Sequence, residues 1–125
     1  MRRMIRHAGF TLMELLVVMT LLALIAAVAV PVVSHSIQRA KEATLKEDLH
    51  VMRKVIDDYY ADVGRYPGSL SELVQNKYIR KIPIDPVTER DDTWIEVFAD
   101  NEEGIIDVKS GADGTASDGT AYRDW

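Results

Sequence analysis

From Leu15 to Val33 every position is apolar apart from Thr20 and the ring-locked Pro31. About 20 apolar residues at 1.5 Å each cross a hydrocarbon core of roughly 30 Å, so this run predicts a membrane-spanning helix. Past Pro31 the pattern changes to an amphipathic one. Leu45, Leu49, Met52, Ile56, Tyr60 and Val63 recur three or four apart and predict an apolar stripe on a continuing helix. Lys41, Glu42, Lys46, Glu47, Arg53, Lys54, Asp57 and Asp58 are expected to cover its polar face. Gly64 suits a left-handed cap and Pro67 blocks continuation, so the helix should run from Phe10 to Val63.

The remainder reads as short elements. Ser69-Leu70-Ser71-Glu72 has the spacing of a capping box and opens a short helix with Leu70, Leu73 and Val74 inward. Pro83 and Pro86 make Tyr78 to Val87 an irregular crossing. Trp94 to Phe98 and Ile105 to Val108 read as two strands of a hairpin turning through Asp100 to Gly104. The expected fold class is α+β: a long N-terminal helix, half transmembrane and half amphipathic, packed on a small C-terminal antiparallel sheet.

Charge adds orientation. The chain has 125 residues and a formal net charge of -5, yet Met1 to Gly9 carries Arg2, Arg3 and Arg6 and no acid. Basic residues beside a membrane segment stay on the cytoplasmic side, which puts the acidic head on the other. An acidic head without a basic stripe argues against nucleic-acid binding. There is no cysteine, so a small exported domain needs a staple other than a disulfide. Assembly into a polymer is one candidate, and a metal ion in the C-terminal loop is another.

The order of signals at the N-terminus is unlike that of a secretory signal peptide, because the apolar run follows His7-Ala8-Gly9 instead of preceding a cleavage site. Within Phe10 to Val33 the one ionisable residue is Glu14. An acid in a membrane helix costs about 2.5–3.5 kcal/mol at the centre, and less near an interface, unless it is paired.

Gly9-Phe10-Thr11-Leu12-Met13-Glu14-Leu15-Leu16 resembles the leader junction of type IV prepilins and type II secretion pseudopilins. Tyr59, Tyr60 and Gly64-Arg65-Tyr66-Pro67 after the long helix are similar to the major, G-type pseudopilin. The absence of cysteine points the same way. The resemblance implies a leader over residues 1–9, a transmembrane and polymerisation helix over 10–33, and a periplasmic pseudopilin head over 34–125. It implies cleavage by a prepilin peptidase between Gly9 and Phe10, N-methylation of Phe10, and a bend at Pro31. It also implies that Glu14 meets the Phe10 amine of a neighbouring copy in a homopolymer. The partners expected are further copies, minor pseudopilins and an inner-membrane assembly platform, and the function is a filament subunit driving protein secretion. A surface pilus subunit is the neighbouring alternative, and a membrane-tethered binding domain a further one.

Ser110 to Thr120 is dense in glycine and short oxygen-bearing side chains, the kind of donor calcium takes on a flexible loop. Neither Cys nor His lies there for zinc. The family's calcium loop has a Gly-Ala-Asp-Gly start and a second Asp, positions matched by Asp113 and Asp118, with Asp107 and Asp124 as further candidates. The loop is somewhat short, however, and the family's Asp-Pro-Trp-Gly element is replaced by Asp85-Pro86-Val87-Thr88. Trp125 is expected to close the loop by packing. A membrane-tethered enzyme would have to use Asp113 with Asp118, or His35 and His50, as acid-base groups. The two histidines have no acid at a fixed spacing, and solvated surface positions account for them.

Overall fold

The computed structural model describes residues 9–125; Arg2, Arg3, Arg6 and the rest of the expected leader before Gly9 lie outside the described residues. The chain divides into two compact units, Met1–Ser36 and Ile37–Trp125. Helix α1 spans Leu12–Val63 and its helical assignment continues through Pro31. It starts two residues later than the apolar pattern predicts. The reason is local: the Thr11 hydroxyl accepts the Glu14 N–H at 3.1 Å, so Thr11 becomes the cap instead of a helical residue.

In the first unit every described residue is exposed, and the helix is long and apolar enough to cross a membrane. Its few hydroxyls are satisfied locally. Thr20 Oγ1 donates to the Leu16 carbonyl at 2.8 Å, and Ser34 and Ser36 donate to Val30 and Val32, each at 3.0 Å. Such back-bonding leaves little unpaired polarity along this stretch.

In the second unit α1 buries Leu45, Leu49, Met52, Ile56 and Tyr59. The predicted stripe holds through Ile56 and then departs: Tyr60 and Val63 are exposed, and Tyr59 is the buried ring. Spacings of three and four from Leu45 reach Tyr59 on the core face, whereas Tyr60 lies about 100° further round. Tyr60 stacks on Tyr66 instead, with ring centroids 4.4 Å apart. The helix ends where predicted, with Gly64 at φ 80° donating its N–H to the Tyr60 carbonyl at 2.9 Å.

Helix α2 spans Leu70–Gln75 and buries Leu70 and Leu73. Strands β1, Ile95–Phe98, and β2, Ile105–Lys109, pair antiparallel as the hairpin predicted. The register slips between Val97, opposite Asp107, and Phe98, opposite Ile105. Ile106 is therefore an extra residue, which resets the alternation so that Ile105 and Val108, three apart, both face the core. Trp94, Ala112, Ala116 and Tyr122 complete that core. Fully burying one aliphatic side chain is worth about 1.5–3 kcal/mol, so this cluster is what fixes the C-terminal segment on α1. The fold is α+β, with a long helix packed on a small antiparallel sheet.

Candidate functional site

The two regions that carry the predicted chemistry lie in different units. At the N-terminal junction Gly9, Phe10 and Thr11 precede the helix, and Phe10 is 90 % exposed. Glu14 sits in the first turn of α1. Its carboxylate accepts the Thr11 N–H at 3.3 Å while the Thr11 hydroxyl accepts the Glu14 N–H, a reciprocal capping box. This second role of Glu14 is legible in the sequence, where Thr11 and Glu14 stand three residues apart.

The C-terminal loop is fastened to α1 by side chains expected on its polar face. Glu42 is buried. Its Oε1 accepts the Ser117 N–H at 2.8 Å, the Tyr122 hydroxyl at 3.1 Å and Gln38 Nε2 at 3.2 Å, while Oε2 accepts the Ser117 hydroxyl. The Ser117 hydroxyl is the largest of the influences holding the Glu42 carboxyl below its usual range, against burial, which raises it. The signal was available: Glu42 lies three residues before Leu45 on the same 3-4-3-4-3 stripe that ends at Tyr59.

Further along α1, Lys46 Nζ lies 4.5 Å from the centre of the Trp125 ring. Trp125 packs edge-on to Tyr122 at 5.3 Å and donates its indole N–H to Thr120 Oγ1 at 2.6 Å, closing the loop as expected.

Asp113 and Asp118 fall elsewhere in this arrangement. Asp113 is paired with Arg123 at 2.7 Å. Asp118 Oδ1 accepts the Thr120 hydroxyl at 2.6 Å and the Thr120 N–H at 3.0 Å, which hold its carboxyl below the usual range. Asp107 is bound to Arg53 at 2.7 Å. Among the described residues no group of three or more His, Cys, Asp and Glu side chains is placed to hold a metal ion. Asp113 and Asp118 belong to no such group, so the acids as arranged do not form a calcium-binding cluster.

Asp85, in the Pro-rich crossing expected to be irregular, is a buried acid. It accepts the Val87 and Thr88 N–H groups at 2.8 and 3.3 Å and the Ser110 hydroxyl, tying the Pro-rich crossing to the end of β2.

The prokaryotic N-terminal methylation motif matches residues 4–30. The type II secretion system core protein G of Pseudomonas aeruginosa is 32 % identical, with 87 % of this chain and 86 % of the relative covered. The chain belongs to the core protein G family. Core proteins G of Klebsiella pneumoniae and Vibrio cholerae are each 28 % identical, over 96 % and 91 % of this chain and 95 % and 86 % of the relatives. No solved structure matches. Membership in the core protein G family makes the chain a pseudopilin of type II secretion, and its exposed apolar helix and α+β head accord with that.

Proposed function

We propose that this chain is a structural, non-catalytic subunit that polymerises into a periplasmic filament driving secretion across the outer membrane. A prepilin peptidase removes residues 1–9 by cutting between Gly9 and Phe10 and methylates the new Phe10 amine. Residues 10–33 hold the subunit in the inner membrane, and residues 34–125 form the periplasmic head. On assembly Glu14 meets the Phe10 amine of a neighbouring copy, and the missing N–H of Pro31 allows local bending of the packed helix. Further copies, minor pseudopilins and the inner-membrane assembly platform are the partners.

The observation that carries this reading is an exposed apolar helix bearing one acid in its first turn. In a plain anchor the acid serves only to cap the helix with Thr11, whereas a polymer also recovers the cost of Glu14 by pairing it between copies. The mass of the protein taken from membranes tests processing, with loss of nine residues and gain of one methyl expected. Glu14→Ala should insert normally and fail to assemble; filaments at wild-type yield would refute the pairing.

A further inference from the structure

Three attachments hold the segment after β2 on α1, and they share one helix face. Glu42 and Arg53 are eleven residues apart, close to three turns, or about 16 Å along the axis, with Lys46 between them. Arg53 reaches the Val108 and Trp125 carbonyls at 3.0 and 2.8 Å, Lys46 covers the Trp125 ring, and Glu42 takes both polar groups of Ser117. Glu42 is the one of the three that is buried, so its bonds are made where water does not compete.

We infer that the C-terminal loop of this chain is closed by the Glu42 carboxylate and not by a metal ion. Among the described residues the loop's acids belong to no group of three or more His, Cys, Asp and Glu side chains, and each has a partner of another kind. Asp113 holds Arg123, Asp118 holds Thr120, and the Ser117 hydroxyl donates to Glu42. The Gly114, Ala116 and Thr120 carbonyls accept the Tyr122, Gly119 and Ala116 N–H groups at 3.3, 3.0 and 2.7 Å. A negative charge from α1 thus satisfies the loop's donors, where a metal-closed loop would present acceptors to a positive charge. Glu42 is a positioning residue: it orders Ser117 and Tyr122 and thereby the surface that the loop presents.

The test uses the full-length chain purified in detergent micelles. Melting temperature is compared in a chelator and in about 10 mM calcium chloride, a concentration that would raise it by several degrees if the loop held a site of the weak affinity common outside cells. No shift is expected. Hydrogen exchange is then followed in wild type and Glu42→Ala. The expected result is loss of protection in Ala116 to Tyr122 by tenfold or more, with β1 and β2 still protected. If Glu42→Ala does not fold, Ser117→Ala provides the same readout, since it removes the Oε2 bond alone. A calcium-induced rise in melting temperature would overturn the inference. So would unchanged exchange across Ala116 to Tyr122 in the folded variant. Neither measurement depends on filament formation, so failure here is separable from failure of the assembly reading.

Discussion

Arg53 of α1 and Asp107 of β2 form an ion pair at 2.7 Å, and the same guanidinium donates to the carbonyls of Val108 and Trp125. One planar fork therefore joins the helix, the sheet and the C-terminal segment. Arg53 and Asp107 are 37 % and 35 % exposed, so solvent screens the charge attraction. The geometry matters more than the charge. Arg53→Ala should cost about 1–2 kcal/mol, since an exposed pair is worth up to ~1 and the carbonyl bonds add to it. For a head of this size that is a fall in melting temperature of roughly 5–15 °C. Arg53→Lys should recover less than half, because an ammonium cannot reach three acceptors in one plane. Equal melting temperatures for Lys and Arg would show that charge alone is enough.

Glu72 gathers the corner after α1. It accepts from Arg65 and the Tyr59 hydroxyl, each at 2.7 Å, and from the Gly68 N–H, while Ser69 caps the Glu72 N–H. The capping box predicted at Ser69 is present, but Glu72 returns its bond one residue early, to Gly68. The Arg65 hydrogen bond, followed by those from Gly68 and Tyr59, lowers the Glu72 carboxyl from 4.5 to about 2. A folded-state value below the unfolded one means stability that is fully present above 4.5 and lost as pH falls towards 2. The melting temperature should therefore drop between these limits. Glu72→Gln should be less stable at neutral pH and should lose part of that pH dependence, as measured by thermal unfolding across the acid range.

Much of this fold was readable because it is written in short-range rules. Gly64, Ser69 and the two short apolar runs each act within a few residues, and each appears where predicted. What was not readable depends on long-range packing. Whether Tyr59 or Tyr60 enters the core depends on helix phase over several turns, and helix propensity does not distinguish them. The helical spacing puts Glu42 on the core stripe, but its partner Ser117 is 75 residues away, and Asp85 resembles a solvated acid until the chain brings Ser110 against it, 25 residues away. Asp113, a candidate ligand in the sequence, is paired with Arg123, a partner ten residues away that no local rule picks out.

Two glycines mark close backbone approaches. A Cβ on Gly111 would lie 2.0 Å from the Thr93 carbonyl oxygen, and one on Gly104 would lie 2.6 Å from that of Pro67. Backbone oxygens cannot swing aside as side chains can. Gly104 also has φ 102° and precedes Ile105, whose N–H donates to Pro67 at 2.8 Å. Gly119, by contrast, has φ 87° with nothing within 4 Å of the added carbon. Gly119→Ala should therefore cost only the left-handed penalty of about 1–2 kcal/mol. Gly111→Ala and Gly104→Ala should each cost at least ~3 kcal/mol through the clash, enough to depress the folded yield. Ranking the three variants by thermal unfolding checks this; Gly119 emerging as the worst would contradict it.

Asp85 and Ser110 provide a sharper test, because the substitution alters hydrogen bonding with almost no change in shape. In Asp85→Asn the remaining oxygen can still accept from Val87 and Thr88, but an amide N–H₂ can replace the oxygen that accepts the Ser110 hydroxyl. Ser110 already accepts the Ala112 N–H at 3.1 Å, so its own proton then has no acceptor in a buried site. Leaving that donor unpaired should cost about 1–3 kcal/mol. Asp85→Ala should cost more, since both backbone donors also lose their partner. A second readout follows the charge of Asp85 apart from its hydrogen bonds. The half-buried Asp48 on α1 has its carboxyl raised, first by burial, then by the charge of Asp85 and that of Glu47. Removing the Asp85 charge while keeping its volume should lower the Asp48 titration midpoint, observable by carboxyl-carbon NMR in folded Asp85→Asn protein. An Asp48 midpoint unchanged in folded Asp85→Asn protein would show that the Asp85 charge does not act on Asp48.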